Sequence, residues 1–316
     1  MRHAGAWWLG LTLVLLPSCA PRPAAPPPGP FVLVLGVAQD GGWPQAGCRR
    51  ECCTRAWEGE SPGSNVTALA LVDPRTSRRW LFDATPDFPA QLRLLDEVAP
   101  TASRPGIDGI FLTHAHVGHY TGLAHLGREV MGTRAVPVHA MPRMRALLES
   151  NAPWEQLVRL GNIALAPLED GRAVALAPDL EVVPFSVPHR DEYSETVGFR
   201  IRGPSRTVLF LPDIDAWDRW ATPLPDALGW ADVALLDGTF YSGAELPGRD
   251  LSDIPHPFIA DTLRRIAALP AGWRARVRFI HLNHTNPALR PGTPERASIE
   301  SAGCAVARQG EMYPLQ

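Results

Sequence analysis

Short apolar runs, bounded by glycine, proline or charged residues, recur along the whole chain. Runs of about four to eight residues with such boundaries are typical of buried β-strands. In the first half they predict strands over residues 31–36, 66–72, 80–82, 107–112 and 136–140. In the second half they predict strands over residues 163–166, 173–176, 180–187, 196–202, 207–211, 233–236 and 277–282.

Segments with helical spacing of apolar residues lie between these strands. They predict helices over residues 88–98, 120–131, 143–149, 258–269 and 295–307. Strands with interspersed helices in two similar halves predict two sheets with helices on the outside.

Three histidines follow one of the predicted strands within six positions. The apolar run 109–112 leads to His114, His116 and His119. Neutral imidazole is the commonest metal ligand in proteins. Two residues that are two apart at a strand end point the same way, and a third can approach from the following turn. Surface or capping histidines are the alternative, but the chain has only ten histidines. The cluster therefore predicts a metal site.

Polar residues also follow four apolar runs in the second half. Ligand sites in layered α/β folds lie at strand ends, so these side chains are candidates for the same site. Each of them alone could instead be a cap or turn residue. The residues concerned are His189, Asp213, Asp237 and, after the last strand, His281 and His284.

The N-terminus has the pattern of an export signal. Arg2 and His3 precede an apolar run over residues 6–16, which is shorter than the roughly 20 residues of a transmembrane helix. The run ends at Leu16-Pro17-Ser18-Cys19, which resembles a bacterial lipobox with Cys19 as the lipidated residue, although Pro17 fits that pattern imperfectly. A plain signal peptide with an incidental cysteine is the alternative.

A segment of almost pure proline and alanine follows, over residues 20–30. It is typical of a stiff polyproline-II spacer between a membrane and a folded domain. We therefore expect a signal peptide over 1–19, a linker over 20–30 and one domain over 31–316. We also expect export and a lipid anchor on the periplasmic side of the cell envelope.

The net charge of −3 gives no electrostatic reason to expect a nucleic-acid partner. A small-molecule substrate fits better, and the sequence does not indicate an oligomeric state.

The ordered set of histidines and aspartate resembles the metallo-β-lactamase superfamily. In that superfamily a motif His-x-His-x-Asp-His, a later His, an Asp and a final His build a one- or two-metal site. The matching residues here are His114, His116, His119, His189, Asp213 and His281. The resemblance implies an α+β fold, a four-layer αββα sandwich in a single domain.

Within the superfamily the chain looks closest to relatives of pyrroloquinoline-quinone synthesis protein B. The shared marks include Leu35-Gly36, residues 41–45 with nearby cysteines, residues 236–240 and residues 279–283.

Two departures qualify the resemblance. The motif aspartate is replaced by Gly118, so one carboxylate ligand of a second metal is missing. The synthesis proteins have lost the first two motif histidines, whereas this chain keeps His114 and His116.

The histidines and the aspartate that match the motif suggest hydrolysis. His114, His116 and His189 offer three nitrogen ligands and an open position, the pattern of a catalytic zinc. A metal-bound hydroxide would attack an ester, lactone, amide or phosphoester. His119, Asp213 and His281 could hold a second, weaker metal, and Asp213 could bridge the metals or orient the hydroxide.

Four further residues have candidate roles around this chemistry. His284 competes with His281 as the last ligand or donates a proton to the leaving group. His256, between two prolines, lines the substrate pocket or is an exposed loop histidine. Asp83 and Asp237 would fix the orientation of imidazole rings.

Two other functional classes remain open. Mixed histidine and carboxylate ligands also suit Fe²⁺, and relatives in the synthesis-protein group look like iron-dependent oxygenases. A non-catalytic metal-binding module is the third class, favoured by Gly118.

The cysteines other than Cys19 suggest a structural role. Cys48, Cys52 and Cys53 lie close together, and in the resembling family cysteines at this place hold a structural zinc. A disulfide is the alternative in an exported protein, although adjacent Cys52 and Cys53 have poor geometry for bridging each other. Cys304 is expected in the core, on the last predicted helix.

Overall fold

Two seven-stranded sheets pack face to face in the computed structural model, which describes residues 25–251 and 254–316. The expected leader 1–19 and the first residues of the expected linker lie outside the described residues. Within these ranges, no helix combines the length and the apolar character needed to cross a bilayer.

The described residues form fourteen strands. They are β1 (Phe31–Gly36), β2 (Ala68–Asp73), β3 (Arg78–Phe82), β4 (Gly109–Phe111), β5 (Val136–Ala140), β6 (Ile163–Pro167), β7 (Val174–Ala177), β8 (Leu180–Ser186), β9 (Val197–Arg202), β10 (Thr207–Leu211), β11 (Val233–Asp237), β12 (Val277–Ile280), β13 (Ala305–Val306) and β14 (Met312–Pro314).

The strand order is β14-β1-β2-β3-β4-β5-β6 in the first sheet and β13-β12-β11-β10-β9-β8-β7 in the second. Strands β3 to β6 are parallel neighbours, and so are β10 to β13. The other pairs are antiparallel. Each sheet is thus mixed, with one parallel half.

Helices accompany both sheets. They are α1 (Glu51–Trp57), α2 (Phe88–Val98), α3 (Val117–Tyr120), α4 (Pro142–Ser150), α5 (Trp154–Arg159), α6 (Leu224–Leu228), α7 (Ile259–Ile266), α8 (Ala271–Arg274) and α9 (Pro294–Ser301).

Strand β1 shows how the layers form. Its side chains alternate between the two faces, because the period of a strand is two. Val32 and Val34 enter the core shared by the two sheets, whereas Phe31, Leu33 and Leu35 enter a second core beneath helices. A strand buried on both faces has to be continuously apolar, and residues 31–36 form such a continuous apolar run. The expected four-layer sandwich is confirmed.

Aromatic rings join the two sheets. Phe82 of β3 stacks on Phe111 of β4 with ring centroids 5.2 Å apart, and it meets Phe199 of β9 at 5.4 Å. Both distances lie in the range of favourable aromatic pairs. These contacts hold the ends of β3 and β4 against the second sheet.

The predicted helix over residues 120–131 is wrong. Helix α3 ends at Tyr120, and a 3₁₀ turn covers Thr121–Leu126. Gly122 packs so closely that an added Cβ would lie 2.2 Å from the carbonyl oxygen of Thr85. Glycine also disfavours a continuous helix, so tight packing replaces helical regularity here.

The end of the chain also differs from the prediction over residues 295–307. Helix α9 ends at Ser301, and Gly303, with φ of 83°, turns the chain into β13. Cys304 therefore lies between α9 and β13 and not in a helix, but it is buried as expected. Helix α1, which carries two of the cysteines, was not predicted.

We expect His139 to make the stability of the fold depend on pH. It lies on β5 with its ring stacked 4.3 Å from that of Phe111, and burial lowers the pKa of His139 to about 4. In the unfolded chain the imidazole has a pKa of about 6.5, so between these values the unfolded state binds more protons. The free energy of unfolding should therefore fall as the pH falls through this window.

His139→Phe keeps an aromatic ring in the stack and removes the titration. Urea unfolding at about pH 7.5 and about pH 5 should show a smaller loss of stability in this variant than in the parent. An equal loss in both proteins would contradict the assignment.

Candidate metal centre

The strand ends of both sheets bring six predicted residues into two neighbouring groups. The first group consists of His114, His116 and His189, and we call it the first site. The Nε2 atom of His114 lies 2.9 Å from Nδ1 of His116, and Nε2 of His189 lies 3.3 Å from the same atom. His114 and His189 are buried, whereas the His116 side chain is 14% exposed. Three nitrogen atoms thus converge beside an open side.

The second group consists of His119, His281 and Asp213, and we call it the second site. The Oδ2 atom of Asp213 lies 3.3 Å from Nε2 of His119 and 3.5 Å from Nε2 of His281. Its Oδ1 atom lies 3.8 Å from Nε2 of His189 in the first site. Asp213 therefore stands between the two sites, in the place of a bridging carboxylate.

The second site also contains a carboxylate that was not predicted from the sequence. The Oδ1 atom of Asp40, in the loop after β1, lies 3.1 Å from Nε2 of His119 and 3.3 Å from Nε2 of His281. Its only sequence signal is its position: Asp40 is an acidic residue in the loop that follows the predicted strand 31–36, just before Gly41.

Asp83 fixes the first half of the site. Its Oδ2 lies 2.7 Å from Nδ1 of His119, and its Oδ1 accepts hydrogen bonds from the backbone N–H and the hydroxyl of Thr113 at 2.8 and 2.9 Å. The Thr113 hydroxyl in turn lies 3.0 Å from Nδ1 of His114. The sequence predicted such a role for Asp83, and this arrangement sets the ring orientation of two ligand candidates.

The second half has its own supports. The Thr239 hydroxyl lies 3.0 Å from Nδ1 of His281, and Asp215 Oδ1 lies 3.2 Å from Nδ1 of His189. Asp215 was not among the predicted residues. Asp237 was expected to fix the orientation of imidazole rings. Its Oδ2 lies 2.8 Å from Nδ1 of His256, and its Oδ1 accepts a hydrogen bond from the Thr239 hydroxyl at 2.8 Å.

His256 lies beside both sites. Its ring centroid is 5.2 Å from that of His189 and 5.9 Å from that of His281, and its Nδ1 is 3.8 Å from Oδ1 of Asp213. Its side chain is 7% exposed. His256 is therefore not the exposed loop histidine of the alternative prediction.

Two residues of the site, one supporting carboxylate and one ligand candidate, have unusual backbone conformations. Asp83 has φ of 68° and His281 has φ of 64°. For residues other than glycine such values cost about 1–3 kcal/mol and cluster at functional sites. Both residues come directly after a strand, β3 or β12, where the chain turns into the site.

The electrostatics favour the ligand forms of three of these groups, whereas at His119 burial is outweighed by the surrounding carboxylates, which raise the pKa well above its usual value. Burial lowers the pKa of His114 and of His116 below the usual range, so both imidazoles are neutral near pH 7. Burial alone would raise the pKa of Asp213, but the nearby His281 and His119 outweigh it and lower the pKa. Metal binding requires neutral imidazole and ionised carboxylate.

Unpaired buried atoms indicate what the second site would accommodate. His119 Nε2 and Asp213 Oδ2 are buried and face each other, yet neither has a hydrogen-bond partner among the described residues. Buried polar groups without partners are rare and costly. A cation between them would satisfy both, so the residues present fit a metal.

The cysteines form a separate cluster with a fourth member. Cys48, Cys52, Cys53 and His284 bring their ligand atoms within 4.8 Å of one another. The Sγ atoms of Cys48 and Cys52 are 3.8 Å apart, and all three cysteines are free thiols. Three cysteines and one histidine are a donor set of structural zinc sites.

The position of His284 corrects its predicted role. It lies with the cysteines, and its buried Nδ1 has no hydrogen-bond partner among the described residues, so it is not available as a proton donor in the histidine sites. His281, and not His284, lies beside His119 and Asp213 in the second site. The physical reason is the turn at His281, which sends the next three residues toward the loop that carries the cysteines.

Sequence relatives agree with this arrangement of the fold. Over 301 residues the chain is 28% identical to coenzyme PQQ synthesis protein B from Xanthomonas campestris pv. campestris (strain B100), covering 88% of this chain and 98% of the relative. It is 27% identical over 307 residues to the same protein from Methylorubrum extorquens (strain PA1), with the same shares covered.

A solved structure is similar over nearly the whole chain. Zn(2+)-bound PqqB from Methylobacterium extorquens superposes with a TM-score of 0.75 and 25% identity, covering 90% of this chain and all of that chain. A diphosphatase from the PhnP family superposes with a TM-score of 0.61 at 19% identity, covering 90% and 96%, and this supports the fold alone.

The family model for the beta-lactamase superfamily domain matches residues 78–282, which include all six metal-ligand candidates. That match extends over more than half of the chain, and the chain therefore belongs to the beta-lactamase superfamily.

Proposed function

We propose that this protein is a metal-dependent hydrolase that uses both histidine sites. The observation that carries the proposal is Asp213, whose two carboxylate oxygens face one site each. The Zn(2+)-bound PqqB structure supports zinc as the metal. His114, His116 and His189 would hold one ion, and His119, His281 and Asp213 a second. When bound, zinc supplies a Lewis acid and lowers the pKa of water from about 15.7 to roughly 7.

The rim of the first site favours a substrate with an anionic group. Arg190 Nη2 lies 3.1 Å from Nε2 of His116, and Glu192 Oε2 lies 3.2 Å from the same atom. The Arg190 side chain is about half exposed, and its Nε lies 3.7 Å from Oε1 of Glu192. Its other N–H groups can pair with phosphate or carboxylate oxygens of an entering molecule that competes with this carboxylate. Among the expected substrates, this supports a phosphoester or an acidic ester or lactone.

His256 is the residue best placed to donate a proton to the leaving group. Burial alone lowers the pKa of His256, but the carboxylate of Asp237 outweighs it, and the pKa is raised. Asp237 holds the ring through Nδ1 at 2.8 Å. A histidine whose pKa is raised above its usual value is better suited to general-acid catalysis.

An iron-dependent role related to PqqB is the second candidate. The second site combines two histidines with carboxylates, a donor set that also suits Fe²⁺. The 28% identity to PQQ synthesis protein B supports this alternative. Metal content separates it from the hydrolase.

We also propose two features that lie beside the reaction. Cys48, Cys52, Cys53 and His284 would hold a structural zinc, which ties α1 to the loop after β12. The N-terminal segment would export the protein, and lipidated Cys19 would attach it to the periplasmic side of the cell envelope.

Loss of His116 should remove metal from the first site. We expect the purified full-length chain with His116→Ala to contain about one metal equivalent fewer than the parent, measured by elemental analysis, because a three-ligand site loses one ligand. His125→Ala is the matched control, since His125 lies nearby in the 3₁₀ turn and stacks on Phe88. Iron in place of zinc would favour the second candidate, and equal metal content in all three proteins would refute the first site.

The role of His256 predicts a dependence on the leaving group. His256→Gln should slow hydrolysis of phosphoesters or esters with alkyl leaving groups by about 10²–10⁴-fold. It should have little effect on nitrophenyl substrates, which need no proton, and metal content should be unchanged. An equal loss of kcat on both substrate types would argue against proton donation.

The membrane anchor can be tested on Cys19. Expressed at full length in a bacterium, the parent should sediment with membranes and incorporate labelled fatty acid, because a lipidated cysteine supplies an anchor. Cys19→Ser should do neither. Fractionation that is identical for both proteins would rule out lipidation.

A further inference from the structure

Position 118 has no room for the side chain that the superfamily motif places there. Gly118 lies in α3, one residue before His119. A Cβ atom added to Gly118 would lie 2.3 Å from Oδ1 of Asp40, 2.6 Å from its Cα and 2.7 Å from its Cγ. Such distances are far below van der Waals contact, so Asp40 fills the space of the missing side chain.

The carboxylate of Asp40 faces the two nitrogen atoms that a motif aspartate would accompany. Its Oδ1 lies 3.1 Å from Nε2 of His119 and 3.3 Å from Nε2 of His281. Asp213 faces the same two nitrogens through Oδ2. The second site thus has two imidazoles and two carboxylates, and two negative charges balance one divalent cation.

The loop that carries Asp40 is held in place by the backbone. The N–H of Gln39 donates to the carbonyl oxygen of Leu282 at 2.8 Å, and the N–H of Leu282 donates to Val37 at 2.8 Å. The side chain of Asn283 also donates to Gln39 Oε1. These bonds fix the loop against the residue that follows His281, so Asp40 is delivered to the site by a rigid support.

We propose that Asp40 is a ligand of the second metal and replaces the carboxylate that is absent at position 118. Glycine at 118 is then a requirement of this arrangement, because any side chain there collides with Asp40. The inference rests on the proposed function, since it assumes that the second site holds a metal.

The test removes the carboxylate of Asp40. Asp40→Ala and Asp40→Asn should each lose the second metal equivalent, with at least about 100-fold weaker binding in competition with a chelator, because a direct ligand matters at least as much as its supports. Both should keep the first equivalent.

Gly118→Ala should lower the melting temperature, because its Cβ would lie 2.3 Å from Oδ1 and 2.6 Å from Cα of Asp40. An unchanged melting temperature would contradict this close packing. Asp226→Asn, an exposed aspartate in α6, is the control and should match the parent in metal content and melting temperature.

His119→Ala separates the possible failures. Metal lost in His119→Ala but kept in both Asp40 variants would overturn the assignment of Asp40 and leave the proposed function intact. If His119→Ala kept the metal content of the parent, the proposal of a second metal would be refuted, and with it the role of Asp40.

Discussion

The buried carboxylate of Asp83 is the interaction on which the site depends. It follows β3, accepts hydrogen bonds from Thr113 after the neighbouring strand β4, and contacts His119 in α3. One side chain therefore joins the ends of two parallel strands to the helix that carries a ligand candidate. Because it is fully buried, its loss would leave donors without partners in a low-dielectric interior, where the cost is high.

The second sheet repeats this device. Asp237 is the last residue of β11, accepts a hydrogen bond from the backbone N–H of Ile214 after the neighbouring strand β10, and contacts His256. In each half a buried aspartate at one strand end ties down the loop of the adjacent parallel strand. The loop that contains Asp213 is held by Asp237 in the same way as the loop that contains His114 is held by Asp83. Parallel strands make this possible, because their carboxyl ends lie at one edge.

The second site shows how a donor can change its place in the sequence while its place in space is kept. A metal responds to the position and charge of a carboxylate, and not to the segment that carries it. Asp40 and residue 118 compete for one volume, so a carboxylate from the loop after β1 and a side chain in α3 exclude each other. Because the interior is closely packed, only one of these two positions can supply the carboxylate.

The sequence by itself indicated twelve of the fourteen described strands, because burial on both faces of a strand requires a continuous apolar run. The resemblance to the superfamily motif singled out the six ligand candidates. The sequence did not determine the end of the helix after Tyr120, where Gly122 packs on the backbone of Thr85. Only the tertiary structure decided that His284 joins the cysteines and that Asp40 reaches His281, 241 residues away. Such contacts depend on how distant loops meet, and no local period along the chain records that.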